Sequence, residues 1–179
     1  IPTQAYIGLS DSKQLDAQAG SETASGVLLA ALAGINNISG PGMMDFESCF
    51  SLEKLLFDNE LCGMALRLIK GIESKDDFPS LPIFNELLTE NHLLISDHTL
   101  KYLKEEDYFP GQVINRANRS RWEEEGKKSL TERAAEEVNQ LVLNAKPTRL
   151  PSDVKNELTI LMEKEAERYG MSSLPSGDK

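Results

Sequence analysis

The chain has 179 residues, 40% of them hydrophobic and 27% charged, with a formal net charge of −10. That length allows one domain, or a domain with an appendage, and the composition is ordinary for a soluble globular protein. The acidic balance argues against nucleic acid as a partner, because phosphates need a basic face, and no apolar run is long enough to cross a bilayer.

Thr3 to Ser10 reads as a strand, with β-favouring Tyr6, Ile7 and Leu9, and ends in the polar loop Ser10-Asp11-Ser12-Lys13-Gln14. A helix follows from about Asp16, a suitable N-cap, to Ala33, with Gly34 at the C′ position. Its side chains are unusually small, among them Ala19, Gly20, Gly26 and Ala30, so it is expected to lie close against a sheet or another helix. Each glycine costs roughly 1 kcal/mol relative to alanine, and close packing must offset that.

A second strand over 35–39 leads to Gly40-Pro41-Gly42-Met43-Met44-Asp45-Phe46-Glu47 and then to a helix from about Ser51 to Ile69. The spacing predicts a parallel strand pair joined by a helical crossover. Two glycines and a proline constrain the turn tightly. It reads either as a functional loop at the C-terminal end of a parallel strand or as a plain chain reversal. In the following helix Glu53, Glu60 and Arg67 predict a narrow exposed stripe, and apolar residues cover most of the rest. Met43 and Met44 are expected in the core.

From about Ser74 the chain changes character. Asp76 to Pro82 is expected to be a connecting loop, followed by charged helices. Ser120 with Glu123, and Ser129 with Glu132, fit the capping box. The second box opens an amphipathic helix with Leu130, Ala134, Val138, Leu141 and Val142 on one face. Pro147 and Pro151 break the chain, and Ser152 is expected to cap a last helix whose inner face is Val154, Leu158, Leu161, Met162 and Tyr169. The organisation expected is therefore 1–73 as strand–helix units, 74–171 as a helical extension, and 172–179 as a disordered tail.

Cys49 and Cys62 carry no CxxC spacing, and His92 and His98 are remote from both, so no metal site is expected and the thiols are expected reduced and buried. No basic-then-apolar leader opens the chain, which points to the cytoplasm. Two parallel strands alone would leave open edges, and the chain starts at Ile1. Both features suggest the C-terminal piece of a larger α/β protein, a piece not expected to be active alone because most of the enclosing fold would be missing.

Asp11-Ser12-Lys13, Asp16-Ala17-Gln18-Ala19-Gly20 with Glu22, Leu29 to Gly34, and Ser39-Gly40-Pro41-Gly42-Met43 with Asp45-Phe46-Glu47 together resemble the trimethylamine methyltransferase family. The resemblance continues through Leu55-Leu56-Phe57-Asp58-Asn59-Glu60 and Gly63-Met64, and more loosely through Asp97-His98-Thr99-Leu100, Tyr108-Phe109-Pro110, Arg119 and Trp122. It implies an α/β fold, the last strand–helix units of a TIM (β/α)8 barrel followed by a mainly helical C-terminal region. It implies a methyltransferase that moves a methyl group from a methylated amine to the cobalt(I) of a corrinoid (cobalamin) carried by a separate protein. Some members contain pyrrolysine and act on trimethylamine; others lack it, and at least some of those act on quaternary amines such as glycine betaine. No pyrrolysine stands in this chain, which favours a quaternary donor.

A quaternary amine leaves as a neutral tertiary amine and needs no general acid, so the protein must align the displacement and hold a cation by carboxylates or aromatic faces. The catalytic candidates are Asp16, Gln18 and Glu22. The substrate-binding candidates are Asp11, Ser39, Gly40, Gly42, Asp45, Phe46 and Glu47. Each has a plainer reading: Asp16 as a helix cap, Glu22 as a complement to the helix dipole, Glu47 as a cap or solvated group. Trp122 reads as a packing anchor or as part of a cation cage, and Asp58 and Asn59 as structural hydrogen-bonding groups. The expected partners are a corrinoid protein and a small methylated amine, with a homo-oligomer possible. Three alternatives stay open: trimethylamine as donor, a non-catalytic helical docking module, and an unrelated barrel with an anion site at a helix start after Gly42.

Overall fold

β1 (Gln4–Ala5) and β2 (Asn37–Ile38) run parallel, Gln4 opposite Asn37 and Ala5 opposite Ile38, as the strand–helix–strand spacing predicts. The structure, a computed structural model, describes residues 1–75, 79–146 and 150–174. Both strands are far shorter than the runs that predict them. Between them lies α1 (Ala17–Leu32), whose N-cap Asp16 accepts the Ala19 amide at 3.0 Å. Its end is a Schellman motif: the amides of Ile35 and Gly34 donate to the carbonyls of Ala30 and Ala31, with Gly34 at φ 72.

The small face of α1 has a concrete use. A Cβ on Gly26 would stand 2.7 Å from the Gly8 amide nitrogen, and one on Gly20 would stand 3.3 Å from the Phe57 ring. The helix thus lies directly on the chain that continues from β1. Val27, 2% exposed, is sealed in that contact, a burial that stabilises by about 1.5–3 kcal/mol.

After β2 the chain does not pass straight into a helix, as expected, but first forms an antiparallel hairpin of β3 (Met43–Met44) and β4 (Cys49–Phe50). Asp45 and Phe46 in its loop have φ of 48° and 63°, so non-glycine residues make the reversal that a glycine pattern would have announced. Cys49 is consequently exposed rather than buried, while Cys62 is half-buried. Met44 is in the core and Met43 half-buried.

α2 (Leu52–Lys70) starts at Ser51, whose hydroxyl accepts the Lys54 amide at 3.1 Å. It packs against α1 on one side and α6 (Leu130–Leu143) on another. Phe57, Val113 and Ala134 form the buried cluster there, with Leu15, Leu56, Leu61, Ile114 and Leu130 around it. The exposed stripe expected through Glu60 is corrected: Glu60 is 7% exposed. Its carboxylate accepts the Tyr108 hydroxyl at 2.8 Å and the Gly111 amide at 3.0 Å, fastening the segment that follows α4 (Asp97–Glu106) onto α2. Burial and the Glu60 hydrogen bond push the Tyr108 phenol up to about 12. Conversely Leu66 and Leu68, expected in the core, are exposed.

α3 (Leu81–Glu90) begins inside the expected loop, with Pro82 tolerated in its first turn; Asp76, Asp77 and Phe78 lie outside the described residues. α5 (Arg119–Glu124) starts one residue before Ser120, and Asn118 caps it, so the first expected capping box is not formed. The second is: the Ser129 amide donates to the Glu132 carboxylate at 2.7 Å, and the Glu132 amide to the Ser129 hydroxyl at 3.3 Å. Leu130 and Ala134 of α6 reach the core, but Leu141 and Val142 are exposed because only the first half of the helix meets that cluster. The Trp122 indole N–H donates to the Lys128 carbonyl at 3.0 Å, anchoring α5 to the start of α6.

The chain divides into two compact units, Ile1–Leu143 and Asn144–Lys179. In the second, α7 (Ser152–Arg168) starts at Pro151 without a side-chain cap, not at a capping Ser152. It ends in another Schellman motif through Gly170 and Met171. Its expected inner face, Val154, Leu158, Leu161, Met162 and Tyr169, is exposed, and Ala166 is its buried residue. Pro147 and residues 175–179 of the expected tail lie outside the described residues.

Candidate functional site

Parallel pairing puts the chain segments leaving β1 and β2 at the same end of the pair. They are stitched together by backbone. The Ser10 amide donates to the Met43 carbonyl at 3.2 Å, the Asp45 amide to the Ser12 carbonyl at 3.0 Å, and the Phe46 amide to the Ser10 carbonyl at 3.2 Å. Lys13 adds an ion pair to Asp45 at 3.2 Å, exposed enough to contribute little stability. The structure therefore gathers Asp11, Asp16, Gln18, Glu22, Asp45 and Phe46 around one small region.

Ser10, 1% exposed, is the hub of that region and was not among the candidates read from sequence. Its hydroxyl donates to the Glu22 carboxylate at 2.6 Å and accepts the Ser12 amide at 2.9 Å, while its carbonyl holds the Phe46 amide. Ser12, 5% exposed, donates its hydroxyl to the Asp16 carboxylate at 3.0 Å. In sequence both serines sit in a polar loop, and only tertiary placement shows that they are buried.

Glu22 accepts the Ser10 hydroxyl, the Asp11 amide at 2.9 Å and the Gln18 side-chain amide at 2.9 Å. Those bonds, Ser10 first, then Gln18 and the Asp11 amide, hold its carboxyl below the ordinary range, so it is an anion at neutral pH. It is half-buried, not merely a solvated dipole complement. Asp16 is also held low, by the Ala19 amide and then Ser12. One of its oxygens is committed to the helix cap.

Gly40-Pro41-Gly42-Met43 is a β-turn of type II form: the Met43 amide donates to the Gly40 carbonyl at 3.0 Å, and Gly42 at φ 87 takes the position that needs a positive value. The space left by the glycines is filled by the protein itself. A Cβ on Gly40 would stand 2.4 Å from the Ile7 carbonyl oxygen, and one on Gly42 2.5 Å from the Phe50 ring. Ser39 lies just before this turn, its hydroxyl on the Ala5 carbonyl at 3.3 Å. Glu47 is exposed in the hairpin loop rather than at a helix start. The helix that follows Gly42 starts at Leu52, with Ser51 as its N-cap, beyond the β3–β4 hairpin.

Phe46 is 64% exposed at φ 63. A bulky residue in left-handed conformation costs about 1–2 kcal/mol, and such strain clusters at functional positions. Its backbone amide donates to the carbonyl of Ser10, the residue whose hydroxyl holds Glu22.

Beneath the turn lies a polar node. Lys54 and Asp58, both fully buried on α2, form an ion pair; Lys54 also donates to the Thr23 hydroxyl of α1 at 2.8 Å, and Asp58 accepts the Gly42 amide at 2.7 Å. Burial outweighs those partners and pushes the Asp58 carboxyl above its ordinary value. Among the described residues no three His, Cys, Asp or Glu side chains converge to hold a metal, and no helix is long and apolar enough to cross a membrane.

The family model described as trimethylamine methyltransferase (MTTB) matches residues 1–170. A trimethylamine methyltransferase MttB of Desulfitobacterium hafniense is 30% identical over 172 residues, covering 96% of this chain and 34% of its own length. A glycine betaine methyltransferase of the same species is 29% identical, covering 95% of this chain and 35% of its own. A trimethylamine methyltransferase MttB of Methanosarcina barkeri is 28% identical, with 92% and 33% covered. The chain thus spans about a third of the length of these curated relatives. With the family model matched along almost its whole length, this chain belongs to the trimethylamine methyltransferase family.

Proposed function

We propose that this chain supplies part of the amine-binding mouth of a methyltransferase that carries a methyl group from a quaternary amine, glycine betaine or a close analogue, to a corrinoid on a partner protein. Membership of a family with both trimethylamine and glycine betaine methyltransferases among its relatives supports the reaction class. The parallel β1–β2 pair with helices after each strand supports an origin in the last strand–helix units of a (β/α)8 barrel, in which the ends of the strands carry the chemistry.

The observation that carries the reading is Glu22. Three donors hold a carboxylate that is charged at neutral pH at the joined strand ends, and the exposed Phe46 is tied through its amide to the same Ser10 that holds it. The carboxylate balances the positive charge of the amine, and the ring face offers its negative quadrupole to methyl groups that cannot donate hydrogen bonds. Gln18 orients Glu22; Asp11 and Asp45 add negative potential at the rim. Ser39, Gly40 and Gly42 shape the floor, and Glu47 extends the acidic rim. Asp16 holds the start of α1 in place. A quaternary donor departs as a neutral amine, so no residue need deliver a proton.

The glycine turn gives the fit test for the corrinoid: its backbone is covered by Ile7, Leu9 and Phe50, so no bare cradle stands open there. The groups facing it would instead be the rim residues Asp45, Phe46 and Glu47. When bound, the corrinoid supplies a cobalt(I) nucleophile that takes the methyl group. The partner is a corrinoid protein, and the compartment is the cytoplasm.

Glycine betaine titrated calorimetrically into wild type and E22Q tests the site. Loss of the charge should weaken binding about tenfold, roughly 1.4 kcal/mol. Equal affinity in the two proteins would remove Glu22 from the site.

A further inference from the structure

The node formed by Lys54, Asp58, Thr23 and Gly42 is poorly explained by stability alone. All four are buried, Lys54, Asp58 and Thr23 at 0% exposure, and a well-packed apolar trio of the same volume often serves as well or better for stability. One oxygen of Asp58 takes both Lys54 and the Gly42 amide, while its other oxygen, Oδ1, is buried with no hydrogen-bond partner among the described residues. The node therefore keeps a penalty that an apolar replacement would lack.

What it gains is control of one peptide. Gly42 is held from both sides by the first turns of α2: its amide donates to Asp58 at 2.7 Å, and its carbonyl accepts the Ser51 amide at 3.0 Å. Gly42 is the residue at φ 87 from which β3 departs, and the loop joining β3 to β4 holds Asp45 and Phe46 at positive φ. Thr23 lies one residue beyond Glu22 on α1, and its hydroxyl accepts Lys54 at 2.8 Å. The same node thus touches the helix that carries the anionic candidate and the turn that launches the aromatic one.

We propose that Asp58 is a positioning residue: by accepting the Gly42 amide it sets the departure angle of the β3–β4 hairpin and so the placement of Phe46, with Lys54 neutralising its charge and tying it to α1. The positioning of the hairpin stands on geometry alone; its consequence for amine binding rests on the function proposed above.

Two double variants separate the roles. K54M/D58L removes the charge pair and the acceptor for Gly42. K54M/D58N removes the charge pair but keeps an acceptor. Backbone amide exchange of residues 42–50, read by mass spectrometry or NMR alongside the melting temperature, should be at least tenfold faster in K54M/D58L. It should return to within threefold of wild type in K54M/D58N. Unchanged exchange in K54M/D58L would overturn the proposal. Should K54M/D58L fail to fold, K54M/D58N decides: wild-type exchange supports the proposal, and lost protection or failure to fold overturns it.

Glycine betaine affinity in the same proteins is the second readout. If wild type binds the amine, K54M/D58L should bind it at least tenfold more weakly, K54M/D58N should recover it, and equal affinity in all three would overturn the link to the site. If wild type binds no methylated amine, the functional reading fails while the exchange data still decide the positioning claim.

Discussion

Replacing Gly40 by alanine probes the joint on which the site depends. The added Cβ would stand 2.4 Å from the Ile7 carbonyl oxygen, 2.6 Å from the Leu9 amide nitrogen and 2.8 Å from the Gly8 carbonyl carbon. Ordinary contact begins at 3.4 Å, so the two backbones must part by roughly 1 Å, and no side-chain rotation relieves a clash between main chains. That retreat stretches the Ser39 amide to Ala5 carbonyl bond at 3.3 Å and the Ser10 amide to Met43 carbonyl bond at 3.2 Å, both already long. Overpacking costs about 1–3 kcal/mol and each of the two weakened bonds about 1 kcal/mol, so G40A should lose about 3–5 kcal/mol. At about 2–4 °C per kcal/mol for a chain of this size, the melting temperature should fall by about 6–20 °C. Gly34 is the control: it needs its positive φ of 72, but among the described residues nothing lies within 4 Å of an added Cβ, so G34A should cost only about 1 kcal/mol. Thermal melts followed by circular dichroism compare the two. A G40A protein as stable as G34A would refute the claim that the strand ends meet through this glycine.

Ser10 should be costly to truncate. S10A strips a buried amide, that of Ser12, of its acceptor and Glu22 of its strongest donor, so it should lose about 1–3 kcal/mol in urea unfolding; a loss under about 0.3 kcal/mol would contradict its role. Acid should weaken the same region. The carboxyls of Glu22 and Asp16 are lower in the folded chain than their ordinary values of 4.5 and 3.8, so the unfolded chain binds more protons there. Their contribution is complete above pH 4.5 and is lost as the pH falls through the lowered folded values. The stability deficit of E22Q relative to wild type should accordingly shrink as urea melts are taken below pH 4.5; a deficit independent of pH would show that Glu22 is not held as an anion.

Much of this arrangement is legible in the residues because backbone chemistry leaves few choices. Pro41 followed by Gly42 can hardly be anything but a tight turn, Asp16, Ser51 and Ser129 stand where helices open, and Gly34 stands where one closes. The small face of α1 announces a close neighbour, and Gly26 against Gly8 supplies it. The hairpin over 43–50 is not legible: its sequence lacks a two-residue alternation, and its loop takes positive φ at Asp45 and Phe46 where a glycine would have signalled it. Asp58 reads in sequence as a structural hydrogen-bonding group and is one, but its burial as a pair with Lys54 is not legible. Charges four apart on a helix ordinarily mark a solvated face, and only the close approach of α1 and the Gly42 turn buries them. Glu60 is misread likewise, because the segment that covers it arrives from Tyr108 and Gly111, about fifty residues on. The exposed leucines of α2 and α7 mark the limit of periodicity: it identifies an apolar face but not what lies upon it.

Methyl transfer itself tests the central claim most directly. The full-length methyltransferase that the barrel reading implies, carrying this chain, is incubated with cob(I)alamin and, in separate reactions, glycine betaine and trimethylamine, and methylcob(III)alamin is followed by absorbance. Turnover with glycine betaine that exceeds turnover with trimethylamine, and that falls about tenfold in E22Q at subsaturating amine, is the predicted result. Turnover with trimethylamine alone, or equal rates in wild type and E22Q, would contradict it.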